Sequence, residues 1–372
     1  MVNTLQILNK KRESQFKRLF IIYRVFDQKT KRIYGIPTTI RVLFTLPVIL
    51  AYLFHLSSFR LISNFFNYAV LFLAQIRFFD KKRVFEFGRL PLNDEKCRIV
   101  LVYAKKCQFS EFDLDLVKVI FRNFSGHKSI VINCNCDKMT EFHNLGVDVE
   151  YQLVKPNWGY DFDGYAEIID RFSKCDFSTL TFLNNSVIAL GNDNNWLAKM
   201  EDEALDSKGI VGLVESISPR NHFQSFAFTI ERAALTEPLI HWFSRIKPLK
   251  RKQAIVQFYE LGLARKIQKL NITCNYVFRF EDVQQISPED WSNKLGVYAD
   301  TQIYQIIYSR TSQRLGVNPS HHHWRFLIDS GVPLIKRELV SSNPENLPDV
   351  YDFLHQKFPD VLKFKFQNQN FS

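Results

Sequence analysis

An apolar run within residues 179–200, TLTFLNNSVIALGNDNNWLAKM, ends in two amides and a hydroxyl. The apolar part has the character of a buried strand. The polar residues that end it are Asn184, Asn185 and Ser186. Such groups can hydrogen-bond the ribose or the phosphates of a ligand. They also form Asx turns and helix caps with their own backbone, so both roles are open for this stretch.

A second polar segment, KPNWGYDFDGYAE at residues 155–167, follows a predicted strand and opens a predicted helix. Gly159 permits a tight turn, and Asn157 and Asp161 can bind a ribose, a base or the backbone of the chain itself. Ligands of open α/β sheets bind beyond the carboxyl ends of the strands. Two polar segments at successive strand ends therefore predict a ligand site, with helix caps or Asx turns as the alternative.

Two further segments carry groups that can act on a proton or a sugar. In SPRNHFQSFAFTI, His222 and Gln224 alternate with Phe223 on the way into a strand, so both can point to one face. A hydrogen-bonded histidine at a sheet edge is the alternative. In VQFYELGLARKI, Glu260 opens a helix, where an acid favours the helix dipole or acts as a general base if it faces a pocket.

Three consecutive histidines, His321, His322 and His323, lie in the segment NPSHHHWRFLIDSGVPLIKREL. Neighbouring residues on a helix diverge by about 100°, so at most one or two of them can converge on a metal ion. Lys336 and Arg337 follow in the same segment and are interpreted as a solvated charge pair, with contact to a phosphate as the alternative.

Strands and helices alternate from residue 97 on, which predicts an α/β domain with a mainly parallel sheet. The predicted strands span residues 98–104, 129–135, 147–154, 179–185, 210–216 and 225–230, and the predicted helices span residues 113–124, 163–173 and 196–205. The expected organisation is a basic, apolar helical segment at 1–90, the α/β domain at 91–280 and a mostly helical extension of it at 281–372.

All of the excess positive charge lies at the amino end. Residues 1–83 hold 15 Lys and Arg against 3 acids, whereas the rest of the chain holds 34 basic and 35 acidic residues. The apolar runs at 42–54 and 61–79 are shorter than the ~20 residues of a single span or are interrupted by polar residues. Two interfacial helices or a shallow hairpin on an anionic membrane surface fit this pattern. A helical cap on the soluble domain or on a second subunit is the alternative.

The motifs NWGYDFDGY, FLNNSV, HFQSFAF, YELGL and NPSHHHWRFLIDSGVPLIKREL, in this order, resemble the rhamnan synthesis protein F family of bacterial glycosyltransferases. The resemblance runs from about residue 98 to residue 345 and does not cover residues 1–90. It implies a GT-A-like, nucleotide-sugar-binding α/β domain that builds cell-wall or O-antigen (lipopolysaccharide) polysaccharide. The implied donor is an activated rhamnose such as dTDP-L-rhamnose, and the implied acceptor is a lipid-linked or growing glycan. The implied place of work is the cytoplasmic face of the bacterial inner membrane.

The resemblance also assigns roles to residues of this sequence. It implies that Glu260, the acid before the Leu-Gly pair, is the base of an inverting transfer. The donor-side residues are Asn157, Gly159, Asp161, Asn184, Asn185 and Ser186. His222 and Gln224 are assigned to the sugar or the acceptor.

The sequence departs from the family at one informative position. The family commonly has Leu-Asn-Asp-Ser at the strand end, and Asn185 stands where that Asp is expected. An amide is a weak, neutral ligand for Mg²⁺ or Mn²⁺, which usually take at least one carboxylate. Either Asp161, Asp163 or Asp193 supplies the charge, or basic groups and helix N-termini neutralise the diphosphate without a metal. The third alternative is that transfer activity is weakened or lost.

Two other classes of function compete with a transferase. One is a non-catalytic glycan- or nucleotide-binding relative that supports polysaccharide assembly, for which Asn185 is the main argument. The other is a basic nucleic-acid-binding protein, which the confinement of positive charge to residues 1–83 argues against.

Overall fold

The computed structural model describes residues 84–88, 90, 98–104, 111–122, 124–134, 149–157, 159–191, 195–247, 249 and 252–362. They all belong to one compact unit that spans residues 81–372. The amino-terminal stretches predicted to lie on a membrane, at 1–83, fall outside the described residues. In the described part of the chain, no helix combines the length and the apolar character needed to cross a membrane.

The described residues form eleven strands and thirteen α-helices. The strands are β1 (Phe85–Gly88), β2 (Arg98–Ala104), β3 (His127–Cys134), β4 (Tyr151–Pro156), β5 (Thr179–Asn184), β6 (Val187–Ala189), β7 (Ile210–Ser216), β8 (His222–Phe223), β9 (Ala227–Glu231), β10 (Cys274–Phe278) and β11 (Leu334–Lys336). The helices are α1 (Glu111–Arg122), α2 (Tyr160–Phe172), α3 (Asn195–Ser207), α4 (Glu237–Ser244), α5 (Lys252–Ile255), α6 (Leu261–Lys269), α7 (Phe280–Gln284), α8 (Pro288–Leu295), α9 (Gln302–Ser312), α10 (Pro319–His322), α11 (Trp324–Asp329), α12 (Arg337–Ser341) and α13 (Val350–Lys357). A π-helical turn, Val256–Glu260, joins α5 to α6.

One sheet carries most of the strands, in the order β1-β4-β3-β2-β5-β9-β7-β10, with β8 paired to β7. The neighbours β2, β3, β4 and β5 are parallel, and so are β7 and β10. Strand β9 runs antiparallel between β5 and β7, and β1 is antiparallel to β4. The predicted α/β class is confirmed for the described residues, but the sheet is mixed rather than mainly parallel, since four of its described strand pairs are parallel and four are antiparallel.

The predicted strand at 225–230 forms β9, which runs antiparallel to both of its neighbours, β5 and β7. Only five residues, 217–221, link β7 to β8, and β8 and β9 then run in the same direction, antiparallel to β7. A parallel return needs a crossover of a dozen or more residues, and a link of this length therefore allows only a reversal of direction. The reversal brings the start of β9 level with the carboxyl end of β5.

Two helices cover opposite faces of this sheet because successive residues of a strand point to opposite sides. Tyr165 of α2 packs edge-on against Phe182 of β5, with 5.0 Å between the ring centroids. The neighbouring residue, Thr181, instead approaches Glu201 of α3. Helix α2 buries Phe162, Tyr165, Ile169 and Phe172, which recur at helical spacing along one face.

The helical prediction for the carboxyl-terminal part holds for its described residues, where α7 to α13 are joined by short turns and one short strand. That strand, β11, pairs antiparallel with β6, and Lys336 lies opposite Val187. This small second sheet attaches the carboxyl-terminal helices to the chain just beyond the end of β5.

Candidate functional site

The polar segments singled out in the sequence meet at the carboxyl edge of the sheet. Strands β4, β5 and β7 end there, and antiparallel β9 begins there. The backbone N–H of Asn184 donates to the carbonyl of Phe226 over 2.9 Å, which fixes the end of β5 against the entry to β9. The edge is also where the chain order reverses, since β3 and β5 lie on opposite sides of β2. Ligands of open α/β sheets bind at such a reversal.

Asp161, Asn184 and Ser186 form a hydrogen-bonded chain at this edge. The Asn184 amide donates to Oδ2 of Asp161 over 2.7 Å. The other end of that amide, Oδ1, accepts from the backbone N–H of Ser186 over 3.0 Å and from its hydroxyl over 2.6 Å. The bond from the residue two positions on is the Asx turn named as the alternative for this stretch. Asn184 therefore shapes the turn and, with the same side chain, orients a carboxylate.

Lys336 completes this group, which we call the amide cluster (Asp161, Asn184, Ser186 and Lys336). Its Nζ donates to the Ser186 hydroxyl over 3.0 Å and lies 4.0 Å from the centroid of the buried Phe226 ring. Arg337 takes a different direction, and its guanidinium pairs with buried Asp113 over 2.8 Å. The interpretation of Lys336 and Arg337 as a solvated pair is wrong, because the two strands of the small sheet hold this corner against the core.

A second group, the carboxylate cluster (His222, Ser225 and Glu260), lies on the β7–β9 side of the edge. Oε2 of Glu260 accepts from the backbone N–H of Ser225 over 3.1 Å and also from the Ser225 hydroxyl. Oε1 of Glu260 lies 3.3 Å from Nε2 of His222. Glu260 is the last residue of the π-helical turn, and its carboxylate is turned toward β8. π-helical turns are frequent at functional sites.

His222 and Glu260 form a charged pair. The Nδ1 atom of His222 lies 2.8 Å from the carbonyl oxygen of Arg220, which can only accept, and Nε2 faces a carboxylate. Both ring nitrogens must then donate, which is the imidazolium form. Burial works against that charge, but the bonds to Glu260 and Arg220 outweigh it and raise the pKa of His222. Burial likewise works to raise the pKa of Glu260, and the bonds from His222 and Ser225 prevail and lower it.

Tyr165 joins the two clusters. Its hydroxyl donates to the carbonyl of Ser225 over 2.9 Å, and it is also within hydrogen-bonding reach of Asn184. Burial raises the pKa of Asp161 to about 6, although the charges of Lys336 and Lys252 act to lower it. A carboxyl group with that pKa exchanges a proton readily near neutral pH.

The remaining predicted donor residues lie around this edge without a shared contact. The backbone N–H of Asn157 donates to the carbonyl of Cys134 over 2.9 Å, just after β4. Gly159 is buried and precedes α2, but the left-handed conformation falls on the next residue, Tyr160, with φ of 52°. The tight turn expected at Gly159 is thus made one position later. Asn185, half-buried, forms the turn after β5 together with Ser186.

Gln224 connects the edge to the carboxyl-terminal helices. Its amide donates to Oδ1 of Asn318 over 2.6 Å, and Ser320 donates to the same oxygen over 3.1 Å. His222 contacts Glu260 instead, so the structure gives the two residues different partners. Oε1 of Gln224 is buried without a hydrogen-bond partner among the described residues.

The metal candidates separate in the structure. Asp161 belongs to the amide cluster, Asp163 forms a fully buried ion pair with Lys155, and Asp193 falls outside the described residues. Within the described ranges, no group of three or more His, Cys, Asp or Glu residues could hold a metal ion together. An ammonium group, that of Lys336, bonds the turn where a cation would be expected. Asp161 and Asp163, the two described metal candidates, thus have separate partners at this edge.

Two of the three histidines share a partner, and the third lies apart from them. His321 and His322 face Glu345, at 3.8 Å and 3.4 Å. His323 is fully buried and bonds the Thr311 hydroxyl over 2.9 Å. Burial lowers the pKa of His323 to about 3, so this ring is neutral and structural at physiological pH.

Sequence reasoning missed two residues of the site, Tyr165 and Ser225, and interpreted a third, Lys336, as a solvated charge. Tyr165 is indistinguishable in the sequence from the other apolar residues on the buried face of α2. Ser225 directly follows Gln224, which was singled out, and could have been found in the short link between β8 and β9. Lys336 is 150 positions from its partner Ser186.

Comparisons with known proteins identify relatives of low sequence identity. No family model matches this chain. Two sequences named virulence protein VirA, both from Vibrio anguillarum, are 26% identical to it over 211 residues. The match covers 54% of this chain and 65% of each relative, which is slightly less than two thirds of their length.

A solved structure described as a nucleotide-diphospho-sugar transferase, from Desulfovibrio desulfuricans G20, is similar over 59% of this chain and 99% of its own. The TM-score is 0.33 and the sequence identity is 9%. A likeness of this size does not assign an activity to this chain.

Proposed function

We propose that this protein is a glycosyltransferase that moves a sugar from a nucleotide-sugar donor to a glycan acceptor. The observation that carries the proposal is the convergence of motifs that are far apart in the sequence. Residues from all five stretches that resemble the rhamnan synthesis protein F family lie at or next to one edge of the sheet: Asp161, Asn184, His222, Glu260 and Lys336. Motifs that only maintained a core would not need to meet in polar contacts at a strand end.

The proposed donor is dTDP-L-rhamnose, and the proposed acceptor is a lipid-linked or growing cell-surface polysaccharide. Both come from the family resemblance. In the transfer, the acceptor oxygen bonds to the anomeric carbon as the bond from that carbon to the diphosphate breaks, and the acceptor proton goes to a carboxylate. The edge provides polar groups on two sides for such a reaction, the amide cluster and the carboxylate cluster.

Two carboxylates could accept the proton. Glu260 is the assignment that the motif implies, yet both of its oxygens already accept hydrogen bonds and its pKa is lowered. Asp161 has one oxygen held by Asn184 and a pKa raised to about 6 by burial. A base of this second kind is better matched to proton transfer near neutral pH.

The test is stabilisation and turnover by a panel of nucleotide sugars. A ligand that binds only the folded state at 100 times its dissociation constant adds about 2.7 kcal/mol to the free energy of unfolding. We expect dTDP-L-rhamnose to raise the melting temperature and to be consumed when a lipid-linked glycan is added. Failure of dTDP-, UDP- and GDP-sugars alike, with and without Mg²⁺ or Mn²⁺, would reject the proposal.

A second candidate is a non-catalytic nucleotide- or glycan-binding protein. Asn185 in the place of an acid, together with the fully occupied Glu260 carboxylate, favours it. It predicts binding of the nucleotide sugar with neither hydrolysis nor transfer, even in the presence of acceptor.

The proposed location is the cytoplasmic face of the inner membrane, with residues 1–83 on its anionic surface. These residues include 15 basic and 3 acidic ones, and this excess of positive charge supports the proposal. We expect the full chain to sediment with vesicles that contain phosphatidylglycerol, less at high salt, and not with pure phosphatidylcholine vesicles. Equal binding to both would remove the electrostatic part of the proposal.

A further inference from the structure

Lys336 differs from the other cations around the sheet edge in its partners. Lys155 pairs with Asp163, Lys252 with Glu338 and Arg337 with Asp113. None of the ion pairs that the described residues form joins Lys336 to a carboxylate. Among the described residues, it contacts the hydroxyl of Ser186 and the aromatic face of Phe226.

This arrangement is energetically unfavourable for an ammonium group that has no ligand. Lys336 is half-buried, and removing a charge from water is unfavourable unless the charge is paired and hydrogen-bonded. Burial accordingly lowers the pKa of Lys336 to about 8, although Glu260, Glu338 and Asp161 act to raise it. The contact with the Phe226 ring offsets part of this cost. Of the three N–H donors on Nζ, one is used by Ser186, and an anion would complete the set.

The position of Lys336 matters as much as its charge. Strand β11 delivers it to the turn that follows β5, at the motif where the related family commonly has an acid and this chain has Asn185. An acid there would bind a cation, and the cation would bind phosphate oxygens. Here the ammonium group of Lys336 lies beside the turn, so the protein itself supplies the positive charge.

We propose that Lys336, held in place by the Ser186 hydroxyl, binds the diphosphate of the nucleotide-sugar donor and neutralises it as it leaves, in place of a divalent cation. The inference rests on the function proposed above and deepens it, by making the donor site independent of metal. When the bond from the anomeric carbon to the diphosphate oxygen breaks, the electron pair stays on that oxygen, and the positive charge of Lys336 stabilises it. The proton stays on Lys336 throughout.

The test compares the binding of dTDP, UDP and thymidine to the full chain by calorimetry, first in EDTA and then with Mg²⁺ or Mn²⁺. We expect dTDP or UDP to bind in EDTA with an affinity within about twofold of that with metal. Lys336→Met should weaken the diphosphate about tenfold or more, since hydrogen bonds to charged groups contribute about 1.5–3 kcal/mol. Thymidine binding should stay the same, and Lys336→Arg should retain part of the diphosphate affinity.

Lys252→Met is the matched control. Lys252 carries the same charge and also acts on Asp161, but its side chain is 67% exposed and paired with Glu338. Its removal should change the affinity for dTDP by less than about threefold, as expected of a screened surface charge. The melting temperature of Lys336→Met should not fall, because the variant removes a desolvated charge rather than a packed pair.

The outcomes separate the two proposals. Binding of dTDP or UDP that is lost in EDTA overturns the role of Lys336 and leaves the glycosyltransferase standing. Wild-type affinity in Lys336→Met does the same. Absence of nucleoside diphosphate binding under every condition overturns both.

Discussion

Replacement of Glu260 by Gln separates the structural role of this carboxylate from its chemical one. The carboxylate is buried, it accepts two bonds from Ser225 and it pairs with the imidazolium of His222. Removing one partner of a buried ion pair costs about 3–5 kcal/mol. We expect about 3 kcal/mol for Glu260→Gln at about pH 6, because Gln keeps an oxygen for Ser225 and His222 can lose its proton.

The pH dependence of that loss identifies its cause. The folded-state pKa of Glu260 lies below its ordinary 4.5, so its contribution is present above that value and is lost as the pH falls. The folded-state pKa of His222 lies above its ordinary 6.5, so its contribution is present below 6.5 and is lost as the pH rises through the raised value. The pair stabilises most between about pH 4.5 and 6.5. The difference between wild type and Glu260→Gln should therefore shrink from about pH 6 to about pH 9.

Urea unfolding at these two pH values measures the difference. Glu338→Gln is the matched control, since Glu338 also lies beside a histidine but is 48% exposed, and surface pairs contribute about 1 kcal/mol or less. Equal losses for Glu260→Gln at both pH values would refute the charged pair with His222. Turnover provides a second readout. Loss of a general base costs about 10²–10⁴-fold, and a variant with wild-type turnover would exclude Glu260 from that role.

Three further substitutions test other parts of the structure. Asp161→Asn should abolish most transfer if Asp161 accepts the proton. It should also stabilise the fold by about 2 kcal/mol in urea unfolding at pH 7. The reason is that the pKa of this carboxyl is raised from 3.8 to about 6, so the wild type loses stability as the pH rises through this window. A loss of stability would show that the charged form is favoured by the fold. Lys155→Met leaves Asp163 buried and unpaired and should cost about 3–5 kcal/mol, which Asp163→Leu in the same chain should largely restore. Gly212→Ala places a methyl group 2.1 Å from Cβ of Phe223 and should cost about 1–3 kcal/mol by displacing β8, whereas an unchanged melting temperature would show that β8 is free to shift.

The sequence predicts those elements whose signal is local. The strand at 210–216 is found residue for residue, and the ends of the strand at 179–185 and of the helix at 196–205 are found within two positions. These elements are marked in the sequence by continuous apolar runs or by amphipathic periodicity. Both patterns are present whatever fold buries the apolar side chains. The strands β6, β10 and β11 were missed, because three to five residues at a sheet margin carry too short a pattern to stand out.

The residues of the site likewise divide into those that the sequence predicts and those that it does not. Polar residues that end a strand, such as Asn184 and Asp161, can be recognised because their placement follows from the α/β alternation alone. Their exact partners cannot, and the stretch at Asn184 turned out to make both an Asx turn and a bond to a carboxylate.

Lys336 shows why the environment of a charged residue is hard to predict from its neighbours in the chain. Two consecutive basic residues near an acid are usually solvated, and that expectation depends on a helix or loop open to water. Here the three-residue pairing of β11 with β6 sends Lys336 to Ser186 and its neighbour Arg337 to Asp113. One residue becomes a structural ion pair and the other an ammonium without a carboxylate partner among the described residues, although nothing in their local sequence distinguishes them. The distinction is made by residues more than a hundred positions away, and at such a position an unusual charge points to a ligand.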